Sequence, residues 1–327
     1  MKRFCGSIAV CLILLLPAAR AASGDGLSAI EGQFEAGNYS MAMNTLRALI
    51  SQNPADAAAH YWLGRCYIEV SDYDSAISEF GKALQLTPNS SVYHEWLGRA
   101  YGGKADRERS FLLARRVKKE FLAAVQSDGS NIEARRDLEE YLLDAPWIVG
   151  GSNEDALTQV NEISRLDPLI GHLARADYLN HLGKSDQAIS EYNAVLEMKP
   201  QKVGPYLEIA DYYAGQNNGG EVGKIVDAAA QVDGKDPRLA FYRGQAHILS
   251  GTNLTVAEEE LKSYLASSPQ RTDWPSHAAA RYWLGRLYEK EGNKMAAAEQ
   301  YRAALQLDPR RKDARRQLDA LEKSFIK

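Results

Sequence analysis

Only a few residues of this chain have types and spacings that could do chemistry. His60 and His94 lie 34 positions apart, and two imidazoles would be half of a zinc site. His172 and His181 are nine positions apart and miss the i, i+4 spacing that sets two metal ligands on one helix face. Cys66 stands beside Tyr67 and would act as nucleophile or ligand only as a thiolate. Gly150-Gly151 has the flexibility of a phosphate cradle but lacks the Lys-Ser/Thr that would complete one. Its plainer use is a turn before Ser152 or Asn153 caps a helix. There is no H-E-x-x-H and no G-x-S-x-G. The sequence therefore proposes no catalytic residue, no metal and no cofactor, and the expectation is a protein that is not an enzyme.

What the chain does contain is repetition. Trp-Leu-Gly-Arg-x-Tyr occurs at 62–67, 96–101 and 283–288, its first two copies 34 residues apart. Around the first copy, Leu63, Gly64 and Tyr67 are followed by Ala76, Phe80 and Pro88. This pattern resembles the tetratricopeptide repeat, a pair of helices in which small residues sit where the two backbones approach and large ones fill the gaps. The leading Trp of the family pattern is displaced, with His60 in its place. In this setting His60 and His94 are equivalent positions of adjacent repeats and serve packing, and Cys66 is a buried thiol on a first helix.

Units are expected near 23–56, 57–90, 91–131, 132–168, 169–202, 203–236, 237–272 and 278–311, with 312–327 as a capping helix of polar outer surface. The resemblance implies an all-α, right-handed superhelical solenoid. Turn residues recur at Gly37-Asn38, Ser71-Asp72, Gly183, Gly251 and Gly292. Three units depart from the ideal length. In 91–131 about seven extra residues precede the second helix, giving a basic run from Lys104 to Glu120 whose apolar side, Phe111, Leu112, Val117, Phe121 and Leu122, is expected to pack inward. In 132–168 the turn is enlarged to Ala145-Pro146-Trp147-Ile148-Val149-Gly150-Gly151. This run resembles a turn that interrupts a middle repeat in exported bacterial proteins of the family, and no activity follows from it. Trp147, Ile148 and Val149 are expected to fold back onto the solenoid, the other reading being an exposed docking tip. A linker from Gln270 to His277, with Trp274-Pro275, precedes the last unit.

Lys2-Arg3, the apolar run Ile8 to Leu16 and Ala19-Arg20-Ala21 have the three-part form of a secretory signal peptide spanning 1–21. The apolar run is too short to cross a bilayer, which needs about 20 residues, so no integral span is expected after cleavage. The protein is then exported, to the periplasm or outside the cell. The chain carries a formal charge of −4, and losing Lys2, Arg3 and Arg20 with no acid makes it more negative. That balance argues against nucleic acid as a partner. Cys66 is the one cysteine beyond the signal segment, so no intrachain disulfide is available. Sequons at Asn38, Asn89 and Asn253 carry little weight.

The resemblance also implies that first helices line a concave groove where a protein or peptide binds. The residue after the helix glycine and its neighbours on the same face then point inward. They are Tyr61, Arg65, Ile68 and Glu69, Glu95 and Arg99, Arg136 and Glu140, Asp177, Asn180 and His181, Leu207 and Asp211, Phe241 and Gln245, and Tyr282, Arg286 and Glu289. Along this row the signs run basic, acidic, basic, and Tyr61, Phe241 and Tyr282 are the expected aromatic anchors. The Lys and Asn set of the carboxylate clamp in chaperone-binding members is missing. The expected function is a protein-interaction scaffold or adaptor. The other readings are an assembly factor of a cell-envelope complex, such as polysaccharide export or outer-membrane assembly, in peripheral contact with it, and an accessory subunit of an enzyme.

Overall fold

The computed structural model describes residues 18–267 and 269–325. The basic start and the apolar run of the expected signal segment lie outside the described residues. Among the described residues all regular structure is helical. The helices come as eight antiparallel pairs. The first four pairs are α1 (Ala18–Glu35) with α2 (Tyr39–Gln52), α3 (Ala57–Glu69) with α4 (Tyr73–Leu86), α5 (Ser91–Glu108) with α6 (Phe111–Ser127), and α7 (Ile132–Asp144) with α8 (Asn153–Leu166). The last four are α9 (Pro168–His181) with α10 (Ser185–Glu197), α11 (Val203–Gly215) with α12 (Gly219–Val232), α13 (Arg238–Ser250) with α14 (Leu254–Ser267), and α15 (His277–Lys290) with α16 (Lys294–Leu307). α17 (Lys312–Phe325) closes the stack, burying Ala314, Leu318 and Leu321.

Each pair is defined by short-range chemistry. Caps start the helices: Asp56, Asp72, Ser90, Asn131 and Asn293 each accept the N–H three residues on, satisfying one of the amides a helix start leaves open. A residue of positive φ reverses the chain between partners, among them Gly37 (72°), Gly183 (71°) and Gly292 (77°), a conformation glycine adopts without strain. In the second, third and eighth pairs a glycine of the first helix lies under a ring of the second. A Cβ on Gly64 would stand 2.7 Å from the Phe80 ring, and one on Gly98 2.5 Å from that of Phe121. Between pairs, apolar side chains form successive clusters, such as Leu63, Cys66 and Leu46 across the first and second pairs and Ile68, Phe80 and Leu97 across the second and third.

Two expectations about the insertions are corrected. The extra residues of the third unit form no separate segment before the second helix. They lengthen both partners, to 18 residues in α5 and 17 in α6, where most helices here have 13 or 14. The overhanging turns have no neighbouring helix to cover them. Val117 and Phe121 pack inward as expected, but Phe111 and Leu112 are 63% and 68% exposed and Leu122 is exposed as well. The Ala145–Gly151 turn contains a short 3-10 helix, Trp147–Val149, that splits its apolar residues. Val149 is buried, whereas Trp147 is 84% and Ile148 52% exposed.

The superhelix brings its last pairs back to its first. The segment after α14 forms a strap: Tyr39 Oη donates to the Gln270 carbonyl (2.7 Å), and the Thr272 amide and hydroxyl donate to Glu69 (2.8 and 2.9 Å). Arg271 pairs with Glu35. Its far end stays with the seventh pair, where Tyr264 Oη donates to the Pro275 carbonyl (2.5 Å) and Arg238 lies over Trp274. Arg310, beyond the eighth pair, reaches Asp106 at the end of α5 (2.8 Å).

The glycine contacts predict an opposed pair of substitutions. Gly64→Ala should destabilise the fold by roughly 1–3 kcal/mol through overpacking against the buried Phe80 ring and so lower the thermal unfolding midpoint. Gly81→Ala, where nothing lies within 4 Å of an added Cβ, should stabilise it by roughly 0.5–1 kcal/mol and raise the midpoint. Circular dichroism melts of the two variants test the sign of each.

Candidate functional site

The first helices line the inner wall, and their polar side chains join one pair to the next. Arg99 Nε donates to Asp137 Oδ2 (2.6 Å) across to α7 and pairs with Glu95 on its own helix (3.0 Å). Arg136 Nη2 donates to Asp177 on α9 and to Glu208 on α11, at 2.8 Å each. Tyr192 Oη donates to the other Asp177 oxygen (3.2 Å), and Tyr242 Oη donates to Asp211 (2.8 Å). Arg65 makes no ion pair among the described residues. Its guanidinium lies 3.6 Å from the Trp96 ring centre and also faces Phe34 and Trp62, while Nη1 donates to Tyr61 Oη (3.0 Å). Arg286 repeats the arrangement with Tyr282 and Trp283.

Several expected groove contacts are thus occupied by the protein itself. Glu95, Phe241, Gln245 and Tyr282 are buried, because first helices of successive pairs approach closely and the strap covers the seventh and eighth. Ile68 and Leu207 belong to the core. Glu69 faces the strap rather than open groove. Arg65, Arg99, Arg136 and Arg286 have their charge engaged, so the basic ends expected from the row of signs are not open cationic surfaces. The exposed residues of the row are Glu140, Asn180, His181 and Asp211. Glu140, Asn180 and His181, with Asp144, Asp177 and half-buried Arg136, surround a cleft of about 330 Å³ floored by Glu139 and Leu143, whereas Asp211 lies apart, beside the strap.

This cleft is electrostatically acidic. Burial pushes the Glu139 carboxyl up to about 8 against the opposing pull of Arg136, and Asp177 and Glu208 raise it further. Glu139 Oε1 and Arg136 Nη1 have no hydrogen-bond partner among the described residues. Glu208 is pushed up to about 7, again by burial, with Arg136 opposing. Burial also raises Glu140, with Asp137 and Asp144 adding like charge. Glu208, Asp137 and Glu139 are missed by a row chosen along one narrow face of each first helix. Glu208 and Asp137 directly follow the chosen Leu207 and Arg136, and a face two residues wide would have included them.

The candidate metal and thiol residues resolve into structure. His60 Nδ1 meets Glu79 (2.6 Å) and Nε2 the Pro54 carbonyl (3.1 Å). His94 repeats this with Glu120 (2.8 Å) and the Pro88 carbonyl (3.0 Å), and His172 meets Glu191 (2.6 Å). Each is a latch between the two helices of a pair. Cys66 is fully buried, and burial pushes its thiol up to about 12. No group of three His, Cys, Asp or Glu able to hold a metal occurs among the described residues, and no described helix is long and apolar enough to cross a membrane.

A carboxyl held protonated by the fold stabilises the protein most below its unfolded pKa, and that contribution is lost as pH rises through the folded value. For Glu139 the window runs from about 4.5 to about 8. Stability of the wild type should therefore fall across that window more steeply than that of Glu139→Gln. Urea unfolding midpoints at pH 5 and about pH 8 test this, and parallel pH dependences would show that Glu139 is ionised in the fold.

With this geometry in place, comparisons identify the architecture. Residues 33–101, 171–202 and 253–312 match tetratricopeptide repeat families. No curated protein matches the chain. Among solved structures, a tetratricopeptide repeat protein from Parabacteroides merdae is 14% identical with a TM-score of 0.50, covering 81% of this chain and 98% of that one. Yeast Tom70 is also 14% identical, with a TM-score of 0.61 over 88% of this chain and 59% of that one. A chain of the APC/C hetero-tetramer Cut9–Hcn1 is 12% identical, with a TM-score of 0.51 over 94% and 57%. At these identities the likeness is one of fold.

Proposed function

We propose that this chain, a solenoid of tetratricopeptide repeats, is a non-catalytic scaffold that holds a basic segment of a partner protein in its inner groove. Repeat solenoids offer extended concave surfaces for binding. One observation carries the polarity of the partner: the arginines of the inner wall are engaged internally, while Glu140, Asp144 and Asp211 face the groove without an ion pair among the described residues. The Glu140 carboxyl is raised first by the protein packed around it and then by the like charges of Asp137 and Asp144, and a lysine or arginine from a partner would relieve the repulsion. The helix and extended-peptide modes of recognition both fit such a groove. Glu140→Lys with Asp144→Lys should remove the partner from an affinity capture performed on soluble and envelope fractions, and the wild-type interaction should weaken with salt. Recovery of the same proteins with the doubly reversed variant would refute groove recognition.

We further propose that the scaffold works outside the cytoplasm, as a component or assembly factor of a cell-envelope complex. The support is the signal-like organisation of residues 1–21. Sequencing the amino terminus of the protein recovered from its source should begin at Ala22. A protein retaining Met1 or Lys2 in the cytoplasmic fraction would overturn the export reading.

A further inference from the structure

The two insertions that the groove does not use meet on one surface. Arg115 Nη2 on α6 donates to the Ile148 carbonyl (3.2 Å), and Lys118 Nζ donates to the Gly150 carbonyl (2.7 Å), docking the 3-10 turn against the lengthened helix. Together they present Phe111, Leu112, Trp147 and Ile148, all more than half exposed. Behind this tip lies an apolar cleft of about 400 Å³ whose lining includes Phe111, Val117, Pro146 and Val149, with Asp106, Arg109 and Asp144 at its rim. Four exposed large apolar residues on one protruding surface mark a place that meets something other than water.

Around the tip Asp106 pairs with Arg310 and Asp144 stands at the rim, and most of the other exposed charges are basic. Arg109, Arg115, Arg116 and Lys119 are exposed and form no ion pair among the described residues. Arg109 and Asp106 also line a second cleft, of about 970 Å³, between the end of α5 and the capping helix. Seven basic side chains line it against three acidic ones, and Lys312, Arg315, Arg316 and Lys323 have no ion pair among the described residues. The apolar tip therefore adjoins a cationic face that runs onto α17.

We propose that this surface binds a bilayer containing anionic lipid, with Trp147, Ile148, Phe111 and Leu112 entering the interface and the flanking cations meeting the headgroups. The breadth of the cationic face, from α6 onto α17, points to an anionic surface, and the backbone of the turn permits the tip to approach one. The carbonyls of residues 146–150 all accept hydrogen bonds from within the chain: Val149 and Gly151 amides to Pro146, the Gly150 amide to Trp147, Arg115 to Ile148, Tyr141 Oη to Val149 and Lys118 to Gly150. Satisfied acceptors lower the cost of bringing the turn to the edge of an apolar medium, where open ones would be expensive. Amphipathic tips rich in Trp and flanked by Lys and Arg sit at the headgroup boundary, their affinity combining buried apolar area with attraction to anionic lipid.

The test is co-sedimentation of the full chain with vesicles of phosphatidylcholine mixed with phosphatidylglycerol, beside vesicles of phosphatidylcholine alone. The mixed vesicles should retain the chain and the neutral ones should hold far less. Trp147→Ala with Ile148→Ala should weaken the partition at least about tenfold, and Lys119→Ala with Arg315→Ala about fivefold per charge. All four positions are exposed, so the variants should keep the wild-type melting temperature. Because every variant shares the apolar run Ile8–Leu16, binding through that run would survive both pairs of substitutions and would overturn the proposal. Equal binding to both kinds of vesicle, or none to the mixed ones, would overturn it too. In the latter case, loss of an acidic soluble protein with Trp147→Ala would make the surface a protein interface.

Discussion

The ring of a second helix lying on a glycine of the first is the contact on which the rest depends. Where Phe80 covers Gly64, Phe121 covers Gly98 and Tyr301 covers Gly285, the missing side chain sets how closely two helices approach. That approach sets the tilt of those pairs, and the tilts of successive pairs together set the curvature of the superhelix. The histidine latches work on the same joint from its polar side. His60, His94 and His172 each tie a first helix to a glutamate on its partner, so one joint has an apolar contact and a directional one.

Curvature has an electrostatic consequence. Bringing first helices of successive pairs together on an inner wall removes charged side chains from water, which is costly unless they are paired. The wall answers with internal neutralisation: Arg136 serves Asp177 and Glu208 together, Arg99 serves Glu95 and Asp137, and Arg65 is held among aromatic faces. The carboxylates outnumber these cations in the middle of the groove. The surplus is what the wall has left to offer a partner.

Closure adds a second constraint. The strap from α14 to α15 and the Arg310–Asp106 pair link the end of the array to its beginning. An open solenoid would let its terminal pairs twist independently, because each contacts only its neighbours. Here the first two pairs are tied to the seventh and eighth, and the groove is bounded by the protein's own chain at Glu69, Phe241 and Gln245. The closure reaches the third pair through Asp106 on α5, and the first turn of α6, with Phe111 and Leu112, remains uncovered.

The repeat architecture was legible in the sequence because local rules produce it. Glycine beneath an aromatic, cap residues and turn glycines act within some 34 residues, and each is visible as a residue type at a fixed spacing. The histidines read as packing residues for the same reason. Which side chains were free to bind was not legible. Arg65 and Arg99 read as an exposed basic end, yet their charges meet Trp96 and Asp137, partners on the next pair that only the stacking places within reach. Phe111 and Leu112 fit a helical apolar stripe and were expected inside, but whether a stripe is buried depends on a neighbour being present, and the overhanging turns have none. Pair geometry follows from contacts between residues near in sequence. Exposure, charge pairing and the union of two distant insertions on one surface depend on how the pairs stack and close, and those were decided by the tertiary structure.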